Sequence, residues 1–324
     1  RFRNVTGVQT CALPIYSSTI VESVLREFSE YYRRSQKDYH LIVLSSTVLP
    51  GTIKSLITLV ESISGKIYGK DFGFSYVPDF VKLGNVIKDF KNPEFFMIGT
   101  NNDKDFEQTQ SIWNNFHEND CPIKKLTLEE AEVAKVSLNA YLVNKISFAN
   151  FLGQLCDGME NVNIHNITQT IGLDKRISPY FFGYGTPYGG TCFPRDTTAF
   201  IKFSESRNKI AKHLLFAEEV NSMLHQSLFD KVKSYQKISI FGISFKPDSP
   251  VTIGSPSLVL LDRLRLNSKT VYCHDFIDET FDNLKFFQET EVLTCENPQK
   301  CIDNTEVVVI IDRKSTRLNS SHVS

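Results

Sequence analysis

The chain has 324 residues, of which 41% are hydrophobic and 23% charged, and its formal net charge is −1. This is the composition of a globular protein with room for two or three domains, and the near-zero charge gives no indication of a nucleic-acid partner. No apolar run approaches the roughly 20 residues that cross a bilayer, and the cysteines form neither a C-x-x-C pair nor a zinc-type spacing. We therefore expect a soluble cytoplasmic protein without disulfides, a metal site or a membrane partner.

The two ends of the chain differ from everything between them. Residues 1–15 and 313–324 have no counterpart in the pattern of strands and helices that fills the rest of the sequence. We expect both to be non-native extensions and exclude them from the fold prediction.

Between residues 16 and 126, short β-type runs alternate with helical patterns. Thr19 and Glu22 form a capping-box pattern, which predicts a helix ending near Arg34. The predicted strands are 41–46, 74–77, 95–99 and 122–126, with helices near 53–64 and 103–116. This alternation is typical of a parallel doubly wound sheet and indicates the second half of a dinucleotide-binding domain. No G-x-G-x-x-G motif precedes a helix, so the turn that grips a cofactor pyrophosphate is not in this sequence.

A long helix is predicted at the start of the central region, 127–235. Thr127 and Glu130 form a second capping box, and the helical pattern continues to about residue 159, which indicates a helix spanning a domain or subunit interface. Lys135 and Asn139, one turn apart, interrupt its apolar stripe. They are either a donor pair aimed at developing negative charge or a lysine at the stripe's edge that reaches solvent.

The α/β pattern returns in residues 236–312. Strands are predicted at 238–243, 270–275 and 306–311, with a helix at 255–266. Asp275 ends a strand where dinucleotide-binding domains carry a ribose-binding acid, but the preceding turn is not of that type. We expect a plain surface carboxylate there.

The segment 189–196, GGTCFPRD, places a cysteine between a glycine pair and a proline. The glycines let the backbone approach a ligand closely and Pro194 fixes the exit direction, so we expect the Cys192 thiol at a defined point. Arg195 is expected to favour the thiolate, and Asp196 to orient a water or hold a proton. These features fit covalent catalysis, although composition alone equally allows a buried structural cysteine.

Six motifs carry a resemblance to the UDP-glucose/GDP-mannose dehydrogenase family. They are SSTVLPGT at 45–52, YVPDF at 76–80, AEVAK at 131–135 with Asn139, DKRI at 174–177, GGTCFPRD at 189–196 and GISFKP at 242–247. The resemblance implies an α/β fold with a partial Rossmann-like NAD-binding domain at 16–126, a helical dimerisation domain at 127–235 around the long helix, and a partial Rossmann-like nucleotide-sugar domain at 236–312. It implies NAD as the cofactor and a homodimer as the assembly.

The resemblance also implies a reaction, the four-electron oxidation of the C6 hydroxyl of a nucleotide sugar to a carboxylate. UDP-glucose, giving UDP-glucuronate for polysaccharide building, is the first expected substrate, with Cys192 holding a thiohemiacetal and then a thioester. GDP-mannose or a UDP-N-acetylhexosamine are alternative substrates, and a non-catalytic sugar-nucleotide-binding or dimerisation fragment is an alternative function. A cysteine acyltransferase or hydrolase is disfavoured, because no histidine lies between His165 and His213.

The resemblance assigns roles to individual residues. The implied catalytic residues are Cys192, Lys135, Asn139, Asp196, Thr47 and Asp79. The implied cofactor-binding residues are Ser46, Thr47, Val48, Leu83, Cys192, Arg195 and Ile253. The implied substrate-binding residues are Asp79, Phe80, Val81, Lys135, Asn139, Arg176, Phe181, Tyr188, Gly189, Phe245 and Lys246, with Arg176 reaching the neighbouring subunit's substrate.

Three positions depart from the family pattern. Asp79 and Leu83 stand where the family has glutamates, and Ile253 stands where it has an arginine. Because the glutamate at position 83 and the arginine at position 253 are both absent, neither leaves an unpaired charge. We therefore predict that apolar packing of Leu83 and Ile253 replaces an ion pair.

Overall fold

The computed structural model describes residues 18–37, 39–80, 85–246, 249–287, 292–295 and 297–311. The two predicted extensions lie outside these ranges. The described residues form two units. The first lies within Thr10–Leu138 and Thr198–Lys209, and the second lies within Asn139–Thr197 and Ile210–Ser324. In the part of the chain that is described, every helix is too short or too polar to cross a lipid bilayer.

The first unit contains a four-stranded sheet with helices. Its elements are α1 (Thr19–Tyr32), β1 (His40–Leu44), α2 (Thr52–Ser64), β2 (Phe72–Tyr76), α3 (Val86–Lys91), β3 (Phe96–Gly99), α4 (Asp103–Asn114), β4 (Ile123–Leu126), the first part of α5 (Leu128–Cys156) and the end of α7 (Phe193–Ser206). The strand order is β1-β2-β3-β4. The α/β alternation is confirmed, but the sheet is not fully parallel, because β2 and β3 pair antiparallel at Tyr76 and Gly99. Mixed sheets of this kind are common.

The core of the first unit lies around β2. All five residues of this strand are buried. Phe72 and Phe74 pack with Ile53 and Val60 of α2 and with Leu25 of α1. Removal of these side chains from water is the main contribution to the stability of the unit.

The helix ends test the capping predictions directly. The cap of α1 was predicted one residue too late: the Ser18 carbonyl accepts the first helical bond, from Glu22 N–H, and Thr19 is already helical. The second capping box is confirmed, because Glu130 N–H donates to Thr127 Oγ1 at 3.1 Å and Thr127 N–H donates to the Glu130 carboxylate at 2.8 Å. From this cap α5 runs for 29 residues, or about 43 Å.

The second unit combines helices with a parallel sheet. Its elements are the rest of α5, α6 (Ile164–Gly172), the start of α7, α8 (Lys212–Val232), β5 (Lys237–Phe241), α9 (Pro256–Leu266), β6 (Thr270–His274), a 3-10 helix (Asp278–Phe287), β7 (Val292–Thr294), α10 (Pro298–Asp303) and β8 (Val307–Ile310). The strands lie in the order β7-β6-β5-β8, all parallel.

Asp275 is not the surface carboxylate that the sequence predicted. Its side chain is buried, and its oxygens accept from the backbone N–H groups of Ile243 at 2.7 Å, Ser244 at 2.8 Å and Ile277 at 3.1 Å. Buried backbone donors need a partner. Asp275 therefore holds the turn that follows β5.

Candidate active site

Cys192 lies at the start of α7 in the second unit. Its carbonyl accepts from Asp196 N–H at 2.8 Å, which makes it the residue that begins the helix. The side chain is exposed, and the Thr191 hydroxyl lies 3.6 Å from Cys192 Sγ. Pro194 falls in the first turn, where the absence of its N–H costs nothing. The thiol is thus presented to solvent, unlike the buried structural cysteine that composition alone allowed.

Asp196 lies one turn behind the thiol and is buried. Its carboxylate accepts from Asn139 Nδ2 at 2.5 Å and forms an ion pair with Arg195 Nε at 3.0 Å. Buried carboxylate oxygens need hydrogen-bond partners, and these two donors supply them. The structure therefore joins Asn139, Arg195 and Asp196 in one cluster, and it directs the Arg195 guanidinium to Asp196, whereas the sequence suggested that Arg195 acts on the thiol.

Lys135 belongs to the first unit, where its side chain is only 6% exposed. Its ammonium donates to the Asp79 carbonyl and lies 4.4 Å from the centre of the Phe80 ring. The alternative of a lysine reaching solvent is therefore wrong. The ring face and the carbonyl both attract a cation, and they hold the ammonium beside the YVPDF segment.

Glu132, one turn before Lys135, is a residue of the site region to which the sequence gave no role. Its buried carboxylate accepts from Gly51 N–H at 2.7 Å and from Ile53 N–H at 2.8 Å. These are donors at the N-terminus of α2, which intrahelical bonds leave unsatisfied. Glu132 thereby fixes the turn that follows Thr47. The only available signal was its place in the AEVAK motif.

The predicted substrate residues of the second unit differ in exposure. Arg176 is exposed and forms an ion pair with Asp174 at 2.5 Å. Phe181 adopts a φ of 59°, and its ring meets that of Phe193 edge-on at 6.1 Å. Tyr188 is buried, and burial, helped by the Glu218 carboxylate, raises the pKa of its hydroxyl. Its phenol is therefore a neutral group at physiological pH.

The glycine pair of the cysteine motif makes close contacts inside the unit. A Cβ at Gly189 would overlap the Gly254 carbonyl oxygen, and a Cβ at Gly190 would overlap the Phe245 ring. Asn221 of α8 binds both backbone groups of Tyr188, accepting from its N–H at 2.7 Å and donating to its carbonyl at 3.0 Å. The glycines were expected to admit a ligand, whereas here they admit protein backbone and a ring.

The remaining candidates are less well defined. Val81 and Leu83 lie outside the described residues. Ile253 is 50% exposed, and Lys246 is half-buried next to Phe245. The idea that apolar packing replaces an ion pair at positions 83 and 253 therefore stays a prediction.

Comparison with known proteins gives this geometry a context. Residues 16–117 match the NAD binding domain of the UDP-glucose/GDP-mannose dehydrogenase family, and residues 129–223 match its central domain. The chain is 30% identical over 309 residues to a GDP-mannose 6-dehydrogenase of Pseudomonas putida, an alignment covering 90% of this chain and 69% of that protein. The chain belongs to this family.

Other relatives of the UDP-glucose/GDP-mannose dehydrogenase family carry different substrate names. A UDP-glucose 6-dehydrogenase of Haloferax volcanii is 31% identical over 235 residues, which are 70% of this chain and 54% of that protein. A solved UDP-glucose dehydrogenase from Pyrobaculum islandicum superposes with a TM-score of 0.84 at 27% identity, covering 95% of this chain and 70% of that one. The chain thus spans between about half and two thirds of the length of its relatives.

NAD is the cofactor of this family, and the first unit contains the residues that match the NAD binding domain. In open α/β sheets, ligands bind beyond the carboxyl ends of the strands. Ser46 and Thr47 follow β1 at that edge, exposed and half-buried, whereas Val48 is buried and can offer only its backbone. The N-terminal amides of α2 already bind Glu132, so they do not form a pyrophosphate site. Among the described residues, Ser46 and Thr47 therefore lie at the edge where such a sheet binds its ligand, whereas the α2 N-terminus is already occupied by Glu132.

Proposed function

We propose that this chain belongs to an enzyme that oxidises the C6 hydroxyl of a nucleotide sugar to a carboxylate, with UDP-glucose converted to UDP-glucuronate. The observation that carries the proposal is the exposed Cys192 thiol at the start of α7, one turn before a buried carboxylate held by Asn139 and Arg195. An exposed thiol beside a fixed carboxylate can bind an aldehyde covalently, so that the aldehyde is not released.

Each step of the reaction uses a group of this chain. The C6 alcohol first loses a hydride and the hydroxyl proton and becomes an aldehyde. Cys192 Sγ then forms a bond to the aldehyde carbon, and the thiol proton passes to the carbonyl oxygen, which becomes the hydroxyl of a thiohemiacetal. Loss of a second hydride from that carbon, together with the hydroxyl proton, leaves a thioester, and water displaces the sulfur to give the carboxylate and the free thiol. NAD⁺, when bound, supplies the hydride acceptor, two equivalents for each alcohol oxidised.

The remaining roles follow the motif resemblance. Asp196 orients the hydrolytic water, and Asn139 and Lys135 donate to negative charge on the reacting oxygen. Asp79 serves the substrate, and Thr47 contacts the nicotinamide. Arg176 and Lys246 bind the nucleotide sugar, the first across the dimer and the second within its own subunit.

GDP-mannose is the second candidate substrate, because the Pseudomonas putida relative named for it aligns with 90% of this chain. Calorimetric titration with UDP-glucose, GDP-mannose and UDP-N-acetylglucosamine separates the candidates. We expect UDP-glucose to bind most tightly. Failure of all three to bind would overturn the proposal.

Oxidation itself is tested with the protein from the intact gene. We expect two NADH for each sugar consumed, and no carboxylate product from the Cys192→Ser variant. Cys156→Ser, a half-buried cysteine of the same unit, is the matched control. One NADH per sugar with free aldehyde, or full activity of Cys192→Ser, would contradict the thioester route. Binding without any NADH would favour the alternative of a non-catalytic fragment.

A homodimer in the cytoplasm completes the proposal. On α5, Tyr141, Phe148 and Leu155 recur every seven residues and are 63%, 50% and 57% exposed. A seven-residue repeat of large apolar side chains is typical of a helix that packs on another helix. A second copy of the chain is the partner that this stripe fits best, because its own stripe would be complementary under two-fold symmetry.

A further inference from the structure

We propose that Asn221 and Gly254 are positioning residues that together hold the Cys192 turn in place. The proposal rests on the function proposed for Cys192. Neither residue belongs to the six motifs, and neither is given a site role by the sequence. Both act on the three residues that precede Thr191.

Asn221 holds the start of the turn. Its side-chain amide pairs with Tyr188 at two points, accepting from the N–H at 2.7 Å and donating to the carbonyl at 3.0 Å. An amide that satisfies both backbone groups of one residue fixes the position and the orientation of that peptide segment. Because Tyr188 is buried, loss of the Asn221 amide would leave the N–H and the carbonyl of Tyr188 unsatisfied.

Gly254 holds the next point along the turn. Its carbonyl accepts from Gly190 N–H at 3.2 Å, and a Cβ at position 254 would come within 2.6 Å of Gly190 N. Both glycines have positive φ, 79° for Gly190 and 68° for Gly254. No side chain can be accommodated at position 254 at this distance.

Together these contacts leave Cys192 little freedom. Upstream, Tyr188 and Gly190 are fixed by α8 and by the loop before α9. Downstream, the Cys192 carbonyl is fixed by Asp196 N–H at 2.8 Å. Cys192 is therefore held at its own carbonyl and lies two residues after the fixed Gly190. A nucleophile needs a defined position of this kind.

The test uses Gly254→Ala and Asn221→Asp in the full chain. Asn221→Asp keeps the acceptor for Tyr188 N–H but loses the donor and brings a negative charge to the carbonyl. Gly183→Ala is the matched control, because Gly183 has open space around its Cβ position and no positive φ. Two quantities are measured: hydrogen exchange of residues 186–192, and alkylation of each cysteine by iodoacetamide as a function of pH, resolved by mass spectrometry.

We expect exchange in 186–192 and alkylation of Cys192 to accelerate about fivefold in both variants, as for loss of one hydrogen bond. The pH profile of Cys192 alkylation should shift as well, while the rates at Cys121 and Cys156 stay unchanged. Unchanged Cys192 alkylation, with or without faster exchange, would overturn the proposal. If Gly254→Ala also exposes the buried Cys273, the variant has unfolded, and Asn221→Asp alone decides.

The proposed function is tested by a separate measurement, the binding of nucleotide sugars. If UDP-glucose, GDP-mannose and UDP-N-acetylglucosamine all fail to bind the unsubstituted chain, the enzyme assignment is wrong. The exchange and alkylation measurements need no substrate, so they judge the two positioning residues in either case.

Discussion

At the scale of single residues, Asp196 shows how a carboxylate is kept in the interior of the second unit. Arg195, whose side chain is 29% exposed, forms its ion pair, and removing the partner of a buried carboxylate costs far more than removing one partner at the surface. We expect Arg195→Met to lower the free energy of unfolding by about 3 kcal/mol in urea denaturation. Arg176→Met, which breaks an exposed pair with Asp174, should change it little. Equal losses would contradict this account.

Glu132 carries a second residue-scale prediction. Its carboxylate satisfies two backbone donors of α2, so Glu132→Ala should lower the free energy of unfolding by about 3 kcal/mol. Glu129→Ala, an exposed carboxylate on the same helix, provides the control and should be nearly neutral. A neutral Glu132→Ala would show that water or another group can serve the two amides.

The raised pKa of Glu132 predicts the direction in which the stability of the chain changes with pH. Burial raises the pKa of Glu132 above its ordinary 4.5, against the opposing effect of the backbone donors. The native chain therefore holds this proton to higher pH than the unfolded chain, and the associated stability is lost as the pH rises through the raised pKa. The free energy of unfolding of the unsubstituted chain, minus that of Glu132→Gln, should therefore fall as the pH increases from below 4.5. If this quantity instead rises with pH, the predicted direction is wrong.

At the scale of elements, α5 ties the proposed dimer to one helix face. Phe148→Lys places a charge in the middle of the exposed stripe and should convert a dimer to monomers in sedimentation velocity. Leu266→Lys replaces an exposed leucine of α9 and should leave the dimer intact. A monomeric unsubstituted chain would remove the stripe as an interface, and a dimer unaffected by Phe148→Lys would place the interface elsewhere.

Elements with strong local signals could be predicted from the sequence. The α/β alternation and the Thr127 capping box are examples, because each rests on neighbours within a few positions. The three-residue β7 and the six-residue α10 were not predicted, since so few residues carry no periodicity. The antiparallel pairing of β2 with β3 is likewise set by packing and not by either strand's own pattern.

The same limit applied to the candidate site. Cys192, Asn139 and Asp196 were singled out because the family motifs assign roles to them. Asn221 lies outside those motifs, and Glu132, although part of AEVAK, was given no role, because their backbone partners lie 33 and 81 positions away in the chain. Contacts of that range depend on the completed fold, and local sequence does not display them.

At the scale of the whole molecule, the account depends on a nucleotide sugar meeting the Cys192 thiol. The most direct measurement is site-resolved alkylation of the unsubstituted chain with and without saturating UDP-glucose. We predict that the sugar nucleotide slows alkylation of Cys192 about tenfold or more, by covering the sulfur, and leaves the rates of Cys121 and Cys156 unchanged. Alkylation of Cys192 at the same rate with UDP-glucose, GDP-mannose or no ligand would contradict the account.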